Sequence, residues 1–121
     1  MPTRQIVEAF VALVEAGDYV GAIEQFYASN ASTQENNSAP VVGRDILMAK
    51  ERGVMAAFKK IEACRIGPSL IEGDIVVARW KFTFTSAQGP ARVLDEIAWQ
   101  TWRGDQLIEE RFFYDPGQMA G

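Results

Sequence analysis

The sequence predicts an α+β fold in which three N-terminal helices precede an antiparallel β-sheet. Two observations lead to this class. Apolar residues recur at the 3.6-residue spacing of helices in the first half of the chain, and from residue 60 onward they alternate with the two-residue period of strands. Chains ordered in this way usually pack their helices against one face of the sheet. The 121 residues suffice for one core, so we expect a single domain over residues 1–121.

The first two helices are predicted on either side of a Gly-Asp break. "TRQIVEAFVALVEAG" (3–17) is amphipathic, with Thr3 as its N-cap and Gly17 as its stop. "DYVGAIEQFYA" (18–28) starts with Asp18 as N-cap and repeats the apolar pattern through Tyr27. Each helix is therefore expected to bury one face.

The segment after these helices predicts a strand, an irregular stretch and a third helix. "SNASTQENN" (29–37) is predicted as a short strand with a loop behind it, and "SAPVVG" (38–43) as irregular. The third helix is predicted over "RDILMAKERGVMAAFKKI" (44–61). Its expected apolar positions are Ile46, Leu47, Met48, Val54, Met55 and Phe58.

Four alternating segments then predict an antiparallel meander with a short tail after it. Turn residues separate the strands at Gly73-Asp74, Gly89-Pro90 and Gly104-Asp105. The segments are 60–73, 74–89, 90–104 and 105–115, and "DPGQMAG" (115–121) is the expected tail.

Composition excludes several classes of function. A net charge of −4 with scattered basic residues argues against nucleic-acid binding. No apolar run approaches the roughly 20 residues of a membrane helix, and no N-terminal stretch resembles a signal peptide. We therefore expect a cytoplasmic protein that contacts neither membranes nor nucleic acid, in which the single cysteine, Cys64, is a packed strand residue.

The chain contains no histidine, which is the most restrictive feature of its composition. Serine–histidine and cysteine–histidine nucleophilic sites are excluded, and so are histidine-based metal sites. There are no clustered cysteines and no phosphate-binding glycine loop, so we expect no metal and no organic cofactor. Catalysis would have to rest on carboxylates, Lys, Arg, Tyr or water.

Three stretches of the chain resemble the nuclear transport factor 2-like superfamily, particularly its SnoaL-like branch. They are "FVALVEAGDYVGAIEQFYASNAS" (10–32), "VVGRDIL" (41–47) and "WRGDQLIEERFFYDP" (102–116). The resemblance implies a cone-shaped, strongly curved antiparallel sheet that encloses a ligand pocket together with the three helices. It also implies that the convex sheet face forms a homodimer. Members of the superfamily include isomerases, hydrolases, cyclases and non-enzymatic proteins, so the resemblance is specific for fold only.

An alignment by eye with the family's ketosteroid isomerases and epoxide hydrolases assigns the two faces of each strand. The residues expected to point into the pocket from the meander are Val77, Arg79, Lys81, Thr83, Leu94, Glu96, Ala98, Gln100, Trp102, Glu110, Phe112 and Tyr114. From the helices and first strand, Phe10, Tyr19, Tyr27, Thr33 and Glu35 are expected to line it as well. A one-residue error in the alternation would instead place Trp80 and Phe82 in the cavity and the charges outside.

The same assignment leaves an apolar row on the outer face of the sheet. Its members are Trp80, Phe82, Phe84, Ile97, Trp99 and Phe113. Because the helices are committed to the inner face, we expect a homodimer through this row; coverage by another part of the chain is the alternative.

The candidate catalytic residues are Glu35, Arg79 and Lys81. Glu35 aligns with the general-base aspartate of the isomerases, whose carboxylate tuning is a known pattern. Phe10 and Ala98 replace the two oxyanion donors, which argues against steroid-type isomerisation. Lys81 and Phe112 replace both acids of the epoxide hydrolases.

The remaining charges support two hypotheses for the function. In the first, the protein is a cofactor-independent isomerase, cyclase or lyase for a small carbonyl compound. Arg79 or Lys81 would polarise an enolate, and Glu35, as the carboxylate expected to lack a cationic partner, would move the proton. In the alternative, the protein is a non-catalytic ligand-binding or protein-interaction domain in which these ions form a structural network.

Overall fold

The computed structural model describes residues 1–120, and three helices occupy much of the first half. They are α1 (Arg4–Glu15), α2 (Tyr19–Phe26) and α3 (Arg44–Ala57). The two predicted N-caps are confirmed: the Thr3 hydroxyl accepts a hydrogen bond from the Ile6 N–H at 3.1 Å, and Asp18 Oδ1 accepts one from the Gly21 N–H at 3.0 Å.

The third helix ends four residues before the predicted boundary. Phe58 is already extended (φ −122°, ψ 147°), and its ring packs on Phe84 at a centroid distance of 5.0 Å. The Lys59 N–H donates to the Thr85 carbonyl. Pairing with a distant strand therefore ends the helix, which its local sequence does not reveal. Ile46 and Met55, predicted as apolar helix positions, are exposed.

Six strands form one open, curved sheet in the order β2-β1-β6-β5-β4-β3. Their bounds are β1 Tyr27–Glu35, β2 Val41–Val42, β3 Lys60–Glu72, β4 Ile75–Thr85, β5 Arg92–Arg103 and β6 Gln106–Phe113. The predicted meander β3–β6 is confirmed, and the α+β class with it. The sheet is mixed, because β1 pairs with β6 in parallel, and β2 and β3 are its two ends, so it does not close into a barrel. The stretch predicted as irregular contributes β2.

The inward side of β4 is opposite to the one predicted. Val76, Ala78 and Trp80 are buried, whereas Arg79 and Lys81 are exposed. Residues directly opposite each other on antiparallel strands project to the same face, and Trp80 is opposite Glu96 on β5. Since the inward side of β5 was predicted correctly, this register places Trp80 inward as well.

The inward sides of β5 and β6 agree with the prediction. Leu94, Glu96, Ala98, Gln100 and Trp102 are all buried, and so is Glu110. The helices cover this face, where Trp102 and Leu107 are almost fully enclosed in the core.

The predicted C-terminal tail forms a short 3₁₀ helix, Pro116–Met119. Gln118 accepts a hydrogen bond from the Asp95 N–H at 2.8 Å and donates one to the Asp95 carbonyl at 3.0 Å. The tail therefore occupies the edge of β5 that lies beyond the end of β6.

Candidate functional site

A cavity of about 240 Å³ lies between the helices and the inward face of the sheet. Its lining combines aromatic rings with carboxylates. The aromatic residues are Phe10, Tyr19, Tyr27, Trp80, Phe82, Phe84 and Phe112. The charged residues are Glu35, Lys50, Glu51, Glu96 and Glu110.

One wall of the cavity is a row of three rings on β4. Trp80 and Phe82 lie 5.7 Å apart between ring centroids, and Phe82 and Phe84 lie 6.2 Å apart. The three alternate along one strand, so they share a face. Their predicted place on the outer, dimer-forming face is therefore wrong.

Glu110 is buried and both of its carboxylate oxygens accept hydrogen bonds. The Tyr27 hydroxyl donates to Oε1, and Gln100 Nε2 donates to Oε2 at 2.7 Å. Trp102 Nε1 holds Gln100 in turn, through a 2.9 Å bond to its Oε1. Burial raises the pKa of Glu110 to about 6, although the two hydrogen bonds oppose this rise. Glu110 is thus fixed within the core network, and its acceptor positions are engaged.

Glu96 differs from Glu110 in having no hydrogen-bond partner. Its side chain is buried, at 6% exposure, and faces the cavity. Within residues 1–120, no group donates a hydrogen bond to it. Burial, and then the negative charges of neighbouring glutamates led by Glu110, raise its pKa to about 8. Glu96 therefore holds its proton at neutral pH and is available to a ligand.

Glu35 lies at the cavity, as predicted, but both of its carboxylate oxygens have partners. Tyr114 Oη donates to its Oε1 at 3.0 Å, and Lys50 Nζ lies 3.4 Å from its Oε2. Almost half of its side chain is exposed, at 45%. The expectation that Glu35 lacks a cationic partner is wrong. Its partner Lys50 lies on α3 and was not among the residues predicted to line the cavity.

Lys50 and Glu51 are site residues that sequence reasoning missed. Glu51 follows Leu47 by four residues and precedes Val54 by three, so it interrupts an apolar stripe of α3. A charged residue inside such a stripe is the signal that could have identified it. Burial raises the pKa of Glu51 as well.

The family model for the SnoaL-like domain matches residues 7–110. The chain belongs to this SnoaL-like family. The resemblance identified from the three stretches of sequence is confirmed. No curated protein sequence matches the chain.

Solved structures share the fold of this SnoaL-like protein. A protein from Mesorhizobium loti, provisionally assigned as a SnoaL-like polyketide cyclase, superposes with a TM-score of 0.76 at 26% identity, covering 91% of this chain and 97% of that one. A protein from Jannaschia sp. CCS1 with the same provisional assignment has a TM-score of 0.81 at 18% identity, with 95% and 88% covered. TerC, co-crystallized with polyporic acid, has a TM-score of 0.80 at 15% identity, with 95% and 92% covered.

Arg79 and Lys81 do not reach the cavity of the SnoaL-like domain. Arg79 forms two hydrogen bonds with Asp95 on the outer face, at 3.0 Å and 2.6 Å, and Lys81 is exposed on the same face. Neither can polarise a ligand bound among the inward rings, so their predicted inward placement is wrong.

The other predicted lining residues fall into two groups. Those that line the cavity are Phe10, Tyr19, Tyr27, Thr33, Leu94, Glu96, Glu110 and Phe112. Ala98, Gln100 and Trp102 are buried on the same face as part of the core, and Tyr114 reaches the site through its bond to Glu35. The SnoaL-like cavity is thus bordered by most of the residues predicted from β1, β5 and β6.

Among residues 1–120, no three His, Cys, Asp or Glu side chains are grouped as a metal site would require. None of the helices in the same range has the length and apolar character needed to cross a membrane. Independence from metals and cofactors stays a prediction.

Proposed function

We propose that this SnoaL-like protein binds a small carbonyl compound in the cavity and transfers a proton to or from it with Glu96. The observation that carries the proposal is a buried carboxyl group, free of hydrogen bonds within residues 1–120, that faces an aromatic cavity. The membership of the family supports binding of a small molecule. The provisional assignment of the Mesorhizobium loti relative as a polyketide cyclase supports carbonyl chemistry.

The chemistry follows from the proton affinity of Glu96. In its ionised form, the carboxylate removes a proton from the carbon next to the carbonyl group, and the electron pair moves onto the carbonyl oxygen. Where a carbon–carbon double bond adjoins that carbon, the carbonyl re-forms, the double bond shifts and the proton returns to its far end, which gives isomerisation. Alternatively, the enolate attacks a second carbonyl and the proton goes to the new alkoxide, which gives cyclisation. A carboxylate whose pKa is about 8 is a stronger base than an ordinary one.

The size of the cavity limits the ligand. A cavity of roughly 150 Å³ holds one benzene molecule, and drug-sized ligands occupy roughly 300–1,000 Å³. At about 240 Å³, the cavity accommodates a substituted ring or a compact pair of rings.

Deuterium exchange tests the proposal without knowledge of the natural substrate. The α-protons of small cyclic ketones such as 2-tetralone exchange in D₂O, and NMR follows their loss. We expect the protein to accelerate this exchange, with a rate that rises as the pH passes through about 8 because Glu96 ionises there.

Two variants sharpen the exchange experiment. Glu96→Gln should abolish the acceleration, whereas Glu109→Gln, which removes an exposed carboxylate from the outer face of β6, should retain it. If Glu96→Gln exchanges ketone protons as fast as the wild type, Glu96 does not transfer the proton. Ketone binding without any acceleration would favour the non-catalytic ligand-binding alternative.

A second proposal concerns the outer face of the sheet. Trp99 and Phe113 keep 48% and 42% of their surface exposed there, and Ile97 lies on the same face, directly opposite Phe113. This patch is smaller than the predicted row, because Trp80, Phe82 and Phe84 face the cavity. We propose that a second copy of the chain covers it.

A further inference from the structure

The charges around the cavity are strongly unbalanced. Lys50 is the cationic side chain among its lining residues, and it lies beside Glu35. The lining carboxylates are Glu35, Glu51, Glu96 and Glu110. Arg79 and Lys81 lie on the other face of β4 and do not offset these charges. A carboxylate or phosphate ligand would meet like charges at close range, which is unfavourable.

Glu96 is the carboxyl group that a ligand can engage. Glu110 already accepts bonds on both oxygens, and Glu35 has Tyr114 and Lys50. Glu96, at 6% exposure, faces the cavity with no donor among residues 1–120. The oxygens of this carboxyl group are open to the cavity, so they can take a partner that brings both a positive charge and hydrogen-bond donors.

The wall next to Glu96 suits the same kind of partner. Trp80 is directly opposite Glu96 across β4 and β5, and Phe82 continues the row at 5.7 Å from Trp80. The faces of aromatic rings attract cations, and the attraction is stronger where water is excluded. The ring wall therefore favours a cationic group and an apolar skeleton together.

We propose that the cavity binds a small aromatic or alicyclic amine in its protonated form, with the ammonium group at Glu96 and the carbon skeleton against Trp80 and Phe82. This proposal rests on the same cavity and the same Glu96 carboxyl group as the proposed function, but it concerns a second class of ligand and does not require the proton transfer.

The proposal predicts a pH dependence of binding. Carboxylates from three elements raise the pKa of Glu96: Glu110 from β6, Glu35 from β1 and Glu51 from α3. Lys50 of α3 lines the same cavity beside Glu35. The phenols of Tyr19 and Tyr27 also line the cavity, and Tyr114 bonds to Glu35. Because the pKa of Glu96 is raised to about 8, an ammonium ion that binds at pH 7 must displace its proton. Affinity should then rise about tenfold per pH unit below that pKa.

Matched probes with one skeleton test the ligand class. Calorimetry would compare 2-phenylethylamine, 2-phenylethanol and phenylacetate, and then the corresponding naphthyl series with two rings. We expect each amine to bind at least tenfold more tightly than its alcohol at about pH 8, and the carboxylates to bind least. The enthalpy of amine binding at pH 7 should vary with the ionisation heat of the buffer, because a proton is released.

The variant Glu96→Gln should remove the preference for the amine and leave binding of the alcohol intact, and Glu109→Gln should behave as the wild type. The proposal is overturned if amine and alcohol bind equally, if the preference survives in Glu96→Gln, or if none of the six probes binds. The pH profile of the wild type provides a test that does not depend on a variant. Amine binding without ketone exchange would leave this proposal standing and remove the proposed function. Ketone exchange without amine binding would remove this proposal and leave the proposed function standing.

Discussion

Glu96 and Trp80 are direct partners across β4 and β5, and both side chains are buried beneath the helices. This register brings an acid without a hydrogen-bond partner in residues 1–120 against an aromatic wall. It also sends Arg79 and Lys81 to the opposite face. The chemical character of the cavity, aromatic and acidic, therefore depends on the relative position of two strands.

The stability of the protein should fall as the pH rises from about 4 to about 9. The unfolded chain releases the Glu96 proton near its ordinary pKa of 4.5, whereas the folded protein holds it up to about 8. Between these values the folded state binds more protons, so the free energy of unfolding decreases with pH, by on the order of 5 kcal/mol for this group. Urea unfolding at a series of pH values measures the effect.

Glu96→Gln is the matched variant for this dependence. A neutral amide has no proton to release, so we expect a flatter profile and, at about pH 8, a variant more stable than the wild type. Glu110 adds a smaller slope of the same sign below about pH 6, which the variant should retain. An unchanged profile in Glu96→Gln would contradict the assignment.

Removal of the Tyr27 hydroxyl should destabilise the core. Tyr27→Phe leaves one oxygen of buried Glu110 without its donor, and the loss of a hydrogen bond to a charged group costs about 1.5–3 kcal/mol. The control is Tyr19→Phe, which removes a 3.1 Å bond to the Ile61 carbonyl and should cost about 0.5–1.5 kcal/mol. If urea unfolding gives the same loss of unfolding free energy for both variants, the Tyr27–Glu110 bond contributes no more than the neutral bond of Tyr19.

Arg79→Ala and Lys81→Ala should leave ligand binding and ketone exchange unchanged. Both side chains lie on the outer face in solvent, where the Arg79–Asp95 pair is screened. The free energy of unfolding should also change little. Loss of exchange in either variant, with the fold intact by circular dichroism, would mean that the charges reach the cavity after all.

The outer-face patch should form the interface of a homodimer. Light scattering at micromolar concentration should give twice the chain mass, and Trp99→Glu should produce monomers or precipitate because it buries a charge in the interface. Gln88→Glu, which adds the same charge to the exposed loop between β4 and β5, should remain dimeric. A monomeric wild type would refute the proposal.

Much of the fold was accessible from the sequence because its signals are local. The caps Thr3 and Asp18 mark helix starts through bonds to residues three positions away. Alternation within β5 and β6 correctly separated the buried side chains, Glu96 and Glu110 included. These features depend on neighbours in the chain, so a pattern of residue types is enough to predict them.

The site itself required contacts between distant segments. Period-two alternation in β4 allows either set of side chains to face inward. The pairing of Trp80 with Glu96 places Trp80 inward, which is opposite to the prediction. The partners of Glu35 are Lys50 of α3 and Tyr114, which lies 79 positions further along the chain. The sequence by itself therefore determined the three helices, the meander and three of the cavity's acids, Glu35, Glu96 and Glu110. Only the tertiary structure decided which acid lacks a partner, because that depends on which groups the fold brings within hydrogen-bond distance.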